Sequence, residues 1–342
     1  MRDGSLLPVG KIRQMNAIPE KLPELHLVDW RSTKDTLHLY AQIVGKIRLA
    51  TTPPRNHWWN VPLYVDVRGL TTRRLHHHDT TFEVAFDFVD HALLVQTADG
   101  RSRSFELGEG VPVADFDARL HATLRDLGID VEIREEPFGL PMKTPFADDV
   151  EHASWDRSAV ERFGRILDWS DSVFEEFSGW FNGKTSPVHL FWHSLDLAVT
   201  RFSGRPAPPV DADPVTQEAY SQELISFGFW AGDDTVGDAA YYSYTAPEPD
   251  GLREQPLAVG EWIEFGSGSL AILRYEAVRT APDPRGTLLA FCQGAYEAGA
   301  RLAGWDTAGF ESKWCPAPEQ LRELKATAAA ELGRPVTPPA AV

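Results

Sequence analysis

The sequence predicts an α+β protein of two similar halves, each a helix, an antiparallel sheet and a second helix, and three observations carry that reading. Apolar residues recur at helical spacing over about 32–52 and again over 156–183, and each run is followed by short alternating segments set between turn residues. Each series then closes on another amphipathic run, at 113–127 and at 287–302. Finally, Gly45-Lys46 precedes Trp58-Trp59 with Arg68 nine residues on, and Gly183-Lys184 precedes Phe191-Trp192 with Arg201 nine residues on. An internal duplication would produce this, with the aromatic pairs meeting near a pseudo-twofold axis and the two arginines at matching strand positions; a chance match of short signatures is the competing reading.

In chain order, residues 1–30 alternate prolines and charges and read as an extended lead-in, and 31–135 form the first unit. Its first helix has Leu37, Tyr40, Val44 and Ile47 on one face, Ser32 or Thr33 as cap and Pro53-Pro54 as stop. The opposite face carries His38, Gln42 and Lys46, read as solvated or as turned into a pocket. Strands follow at 61–68, 80–88, 91–97 and 102–107, the last two joined by the Ala98-Asp99-Gly100 turn, then the helix at 113–127 with Gly128 as its stop and a short strand at 130–134. Three prolines and a run of charges make 136–155 the linker. The second unit, 156–315, opens on a long helix capped by Asp156, continues through a long strand from Ser186 and further strands at 221–230, 239–244, 261–265 and 270–275, and ends on the helix at 287–302. Residues 316–342 read as an alanine-rich helix and a tail.

Composition narrows the function. A chain of 342 residues that is 43% hydrophobic and holds 11 tryptophans has the apolar surface to offset chain entropy. With 50 acidic against 33 basic residues, the net charge of -17 repels phosphate backbones and anionic bilayers, so neither nucleic acid nor membrane is expected as a partner. Arg55, Arg68, Arg73 and Arg74 could make a local basic patch, although solvated loop charges are the simpler reading. Two cysteines, Cys292 and Cys315, imply no disulfide framework, and no apolar run has the length of a signal peptide or a membrane span; a protein of the reducing cytoplasm is the expectation.

The stretch 186–209 concentrates ionisable groups among aromatics: His189, His193, Asp196, Arg201 and Arg205 with Phe191, Trp192 and Phe202. That mixture suits a pocket wall. On one regular strand Arg201 would share a face with His189, Phe191 and His193, and Gly204 with Pro206 would release Arg205 to solvent.

The segments QIVGKIRL, NHWWNVPLYVDVRGLTT, FEVAFDFVDH, SPVHLFWHSLDLAVTRFSGR, EAYSQELISFGFW and YYSYTAPEPDG, in that order, resemble an uncharacterised bacterial family catalogued as domain of unknown function 5996. The resemblance spans nearly the whole chain apart from its ends and implies no activity, cofactor or catalytic residue. His193, where the family pattern has glycine, and His76, His77 and His78, where it has no histidine, depart from it.

Specific chemistries leave weak traces. His189 and His193 lie four apart, about 13 Å on a strand, which is too far for one ion, and no HExxH, ExxH or cysteine pair occurs, so no metal is expected. Gly266-Ser267-Gly268-Ser269 is a turn and no nucleophile elbow, and the two Gly-Lys pairs lack the rest of a phosphate loop and read as helix C-caps. No cofactor is singled out. Candidates for general acid and base work are His57, His189, Asp196, Glu223 and Tyr244, with hydrogen-bonded struts as the alternative. Candidates for ligand binding are Trp58, Trp59, Arg68, Phe191, Trp192 and Arg201, the arginines for a carboxylate or phosphate and the aromatics as apolar walls. The function expected is binding of, or catalysis on, a small anionic or aromatic metabolite; the alternative is a non-catalytic structural or interaction module whose aromatic residues form a seam between the halves. A deep pocket beside Trp192 and Arg201 would favour the former.

Overall fold

The computed structural model describes residues 21–318, apart from Val210, Ser267, Trp314 and Pro316. The first twenty residues and nearly all of the expected C-terminal helix lie outside the described residues. The chain is α+β, with two antiparallel six-stranded sheets.

The first half runs α1 (Leu27–Thr51), β1 (Tyr64–Asp66), β2 (Gly69–Thr71), β3 (Leu75–His77), β4 (Thr80–Asp87), β5 (Ala92–Thr97), β6 (Ser102–Glu106) and α2 (Val113–Asp126). Its sheet is a meander, β1-β2-β4-β5-β6, with β3 also paired to β4. Alternation dictates the packing: Phe82, Val84 and Phe86 of β4 and Leu93 and Val95 of β5 all turn inward, and the helices of this half pack close by, Tyr40 of α1 stacking on Phe116 of α2, which in turn stacks on Phe86. The second half runs α3 (Arg157–Gly179), β7 (His189–Phe191), β8 (Asp196–Pro206), α4 (Pro214–Ala219), β9 (Gln222–Trp230), β10 (Ala240–Ala246), β11 (Glu261–Phe265), β12 (Gly268–Arg274), α5 (Tyr275–Arg279), α6 (Pro284–Leu302) and α7 (Thr307–Phe310). Its sheet order is β7-β8-β9-β10-β12-β11. Asp156 caps α3 through the Ala159 N–H, and Asp283 caps α6 through that of Gly286.

Both sheets are thus antiparallel and flanked in sequence by helices, although in the second β12 inserts between β10 and β11, and the short signature that suggested duplication does not mark equivalent places. Arg68 sits in the exposed turn between β1 and β2, paired with Asp87 and Asp90, whereas Arg201 is buried in the middle of β8. Gly45-Lys46 lies inside α1, and Gly183-Lys184 lies beyond the end of α3, so neither is a C-cap. Several other expectations change. The strand expected at 61–68 is cut to three residues by the turn that exposes Val67. Residues 130–134 form no strand, the Arg134 carbonyl accepting from Lys46 Nζ instead of from a neighbouring strand.

Helix α1 begins at Leu27, upstream of the expected cap, where the Leu27 N–H donates to Asp238 Oδ1 at 2.8 Å. Its polar stripe is buried. Gln42 holds the Phe138 backbone from both sides, donating to its carbonyl at 2.9 Å and accepting from its N–H at 2.8 Å. Lys46 donates to the Arg134 and Glu136 carbonyls at 2.9 and 2.7 Å, and His38 Nε2 meets the His193 carbonyl at 3.0 Å. A segment with no strand partner thereby satisfies its backbone groups on helix side chains.

The halves join at their sheet edges. Leu63, just before β1, and Leu190 of β7 exchange N–H···O bonds of 2.9 and 2.8 Å. Beyond this bridge the Trp192 indole lies flat on Gly45 of α1 and donates to the Val61 carbonyl at 2.9 Å. Phe88 packs in return against Gly164 of α3. One continuous hydrophobic cluster therefore runs through both halves. Among the described residues, no helix is long and apolar enough to cross a membrane.

A Cβ on Gly45 would fall 2.2 Å from the Trp192 ring. Gly45→Ala, which by helix propensity alone would stabilise, should instead cost about 1–3 kcal/mol. Denaturant melts of the variant would check this; an unchanged or raised midpoint would show that the indole is not fixed on the helix.

Candidate functional site

The stretch that concentrates histidine, aromatic and arginine residues is not one strand. Residues 192–195 make a tight turn, with Leu195 in the left-handed region at φ 53°, and fold β7 back on β8. No glycine or proline marks that turn, so the sequence pattern ran straight through it. The register pairs His189 with Ala198 and Phe191 with Asp196. Cross-strand pairs share a face, so His189, Phe191, Asp196, Thr200 and Phe202 line one side of the sheet. Leu190, Leu197, Val199 and Arg201 line the other, against α3 and α6.

Arg201 is therefore not with His189. Its guanidinium lies 3.6 Å from the Phe177 ring centre and 4.5 Å from that of Tyr296, donates to the Phe177 carbonyl and forms no ion pair among the described residues. Burial lowers its pKa to about 9. Arg205 is exposed, as expected, but tethered: it pairs with Glu223 and donates to the Ala303 and Gly304 carbonyls at 2.6 and 3.1 Å, capping α6 with positive charge. Glu223 also accepts from Ser203. Trp192 is the seam residue described above, Trp58 is tied by its Nε1 to the Val215 carbonyl at 2.9 Å, and Arg68 is the exposed turn residue.

The face bearing His189 gathers three groups of side chains. At the seam, Tyr64 of β1 lies beside His189, ring centres 6.2 Å apart, and Phe191 lies 4.7 Å from His189. Arg73 stacks on Tyr64 at 3.5 Å and Arg48 of α1 lies over the same ring at 5.4 Å. Among the described residues, neither ring nitrogen of His189, which is 1% exposed, nor Nε of Arg48 has a hydrogen-bond partner, although the Arg48 guanidinium also donates to the Thr72 carbonyl. Burial, then the charges of Arg48 and Arg73, depress His189 to about 3, so its ring is neutral. Neither arginine forms an ion pair among the described residues. The carboxylate whose titration feels Arg73 is Asp171 of α3, raised to about 7 by burial and by Glu175 and Asp168.

In the middle of the sheet, Asp196 accepts hydrogen bonds from Ser194 and Tyr242, the latter lying over Gly228, and Tyr220 donates to Tyr244 at 3.2 Å. Burial, then Asp196, holds the Tyr242 phenol well above its usual pKa. Here the expected acid–base candidates Asp196 and Tyr244 are satisfied by neighbouring hydroxyls.

At the far end, His57 meets Lys184. Lys184 Nζ lies 2.6 Å from His57 Nε2 and 2.8 Å from Gln222 Oε1, with the Phe202 and Trp59 ring centres at 4.6 and 5.3 Å. Burial and then Lys184 lower the His57 pKa, and burial lowers that of Lys184 against the opposing pull of Glu218. Among the described residues, no group of three or more His, Cys, Asp or Glu side chains converges as metal ligands would. A cleft of about 440 Å³ beside Pro23, His26, Arg162 and Arg279, and one of about 260 Å³ beside Glu109, Arg119 and Arg157, touch none of these groups.

The sequence pattern thus picked out His189, Phe191, His57 and Trp59 but missed their cationic partners. Arg48 adjoins the apolar stripe of α1 at Val44 and Ile47, which could have flagged it as buried. Nothing local links Arg73 to Tyr64, since the turns between β1, β2 and β3 bring them together, and Lys184 after Gly183 has the look of a helix cap.

What fold and site define is an α+β protein of two joined antiparallel sheets, with cations on one sheet face that form no ion pair among the described residues. The chain belongs to the family of unknown function DUF5996, whose model matches residues 22–312. No curated protein and no solved structure matches the chain.

Arg201→Ala should lower stability by about 2–5 kcal/mol, as large-to-small core changes do, and Arg201→Met by clearly less, because methionine refills the space without burying charge. Chemical melts would separate the two. Equal losses would mean that the guanidinium itself, and not its volume, holds α3 and α6 on β8.

Proposed function

We propose that this protein binds, and as an enzyme would act on, a small metabolite whose anionic group seats at the seam between Arg48, Arg73 and His189, with an apolar or aromatic part against Tyr64 and Phe191. One observation carries this reading: two guanidiniums that form no ion pair among the described residues lie over the Tyr64 ring, beside a buried imidazole whose two nitrogens have no hydrogen-bond partner among those residues. Burying polar and charged groups unpaired costs several kcal/mol, and a carboxylate, sulfate or phosphate oxygen relieves that cost by accepting from all three. Arg48 supplies the buried charge. Arg73, exposed and in the left-handed region at φ 54°, supplies an accessible one at the mouth.

A second reading, a structural module, is favoured by Trp192 and Arg201, both of which act as struts within the core. It accounts for those residues and leaves the seam cations unexplained. Both cysteines are free thiols, which suits the reducing cytoplasm.

Calorimetric titration with sulfate, a dianion throughout the range used, tests the anion site. Binding should be unchanged between pH 5 and 6, because His189 is already neutral there. It should weaken several-fold as pH rises through about 7, where Asp171 ionises beside Arg73. Asp171→Asn should remove that loss, and Arg73→Ala or Arg48→Met should weaken binding at least 10-fold. Affinity that falls steeply between pH 5 and 6, or that survives both arginine changes, would place the anion elsewhere.

A further inference from the structure

At the opposite end of the same sheet face, we infer that Lys184 and His57 form an amine–base pair that condenses with a small aldehyde or ketone. The pair shares no residue with the seam and does not depend on the anion site. It is built rather than incidental. His57 and Trp58 are consecutive non-glycine residues in the left-handed region, at φ 54° and 59°, a conformation costing about 1–3 kcal/mol each. Three contacts from α4 hold them there. Glu218 accepts the His57 backbone N–H at 2.9 Å, the Ala219 carbonyl lies 3.2 Å from His57 Nδ1, and the Val215 carbonyl accepts from Trp58. Helix α4 itself is fixed by Pro214 in its first turn and Asp213 at its N-cap.

The Ala219 carbonyl can only accept, so Nδ1 carries the proton and the Nε2 lone pair faces Lys184 Nζ. Lys184 has two acceptors, His57 Nε2 and Gln222 Oε1, and no ion pair among the described residues. A neutral amine has two N–H groups for those acceptors and one lone pair left over. Trp59 and Phe202 wall the half-buried amine, which desolvates it while leaving a side open. Those rings also attract a cation, so a charged lysine serving as a strut makes the same contacts; reactivity separates the two states.

In the condensation, the Lys184 nitrogen attacks the carbonyl carbon and a C–N bond forms, while His57 Nε2 takes one of the two amine protons and delivers it to the carbonyl oxygen, which becomes a hydroxyl. His57 Nε2 then takes the second amine proton and delivers it to that hydroxyl, which departs as water as the C=N bond forms. Amine and carbonyl give imine and water, with no change of oxidation state. The aromatic walls favour a carbonyl compound with a flat or apolar body.

The test is borohydride trapping with benzaldehyde, an uncharged probe that leaves the seam arginines out of the readout, followed by peptide mass mapping. At pH 7, Lys184 should be modified at least 10-fold faster than the exposed Lys143 and Lys313. Lys184→Arg should abolish that adduct. His57→Asn, which keeps a residue tolerant of the left-handed region, should slow it at least 10-fold. Should His57→Asn fail to fold, the pH profile of the unaltered protein decides: Lys184 labelling should level off at lower pH than Lys143 labelling. Labelling of Lys184 no faster than Lys143, a His57→Asn rate equal to wild type, or superimposable pH profiles would each overturn the inference.

Discussion

The backbone bridge between Leu63 and Leu190 is the constraint on which the rest of the structure depends. Each six-stranded sheet ends on a three-residue strand, β1 or β7, whose free edge would otherwise offer unpaired N–H and C=O groups to solvent or to another chain. Here the two edges satisfy one another at a single point. The indole of Trp192 then locks the junction by lying where Gly45 leaves no side chain. Because an edge-to-edge bridge cannot slip without breaking both hydrogen bonds, the relative register of the halves is fixed, and with it the position of every side chain that crosses the seam.

Among those crossing side chains, His189 and Arg48 keep buried nitrogens with no hydrogen-bond partner among the described residues. Tyr64 comes from the first sheet, His189 and Phe191 from the second, Arg48 from α1 and Arg73 from the turn that follows β2, so none of the halves alone assembles the cluster. The same loop that carries Leu63 to the bridge begins, six residues earlier, at His57, and it lays Trp58 and Trp59 across the far end of the second sheet. Along β8, Ala198 at the seam and Phe202 beside Lys184 are four residues apart, about 13 Å of strand. One loop and one strand thus set both cation-bearing places on a single face, while the opposite face, with Arg201, is given over to packing helices.

The strands and helices were legible wherever one local period persisted. Phe82, Val84 and Phe86 alternate cleanly and lie in β4, and the Phe163, Ile166, Phe174 and Phe177 spacing marks α3. The local signal misleads where an interaction distant in sequence overrides it. His38, Gln42 and Lys46 look like a solvated helix face, yet they are buried because the backbone at 134–138 and at His193 needs their donors and acceptors. The turn at 192–195 has no residue that announces it, and missing it placed Arg201 on the wrong face. Composition directs attention to His57, Trp59, His189 and Phe191 as ionisable groups among aromatics, but a cation's partner is set by tertiary contact. Arg48, Arg73 and Lys184 therefore emerged from the fold alone.

The central claim is that the seam between the two halves is an anion seat. It is tested most directly by the anomalous signal of bromide in crystals of untagged protein grown without sulfate or phosphate. The account predicts a peak in hydrogen-bond reach of the Arg48 guanidinium and a ring nitrogen of His189. Bromide bound elsewhere on the protein, with the seam empty or filled by a side chain that pairs with Arg48, would contradict it.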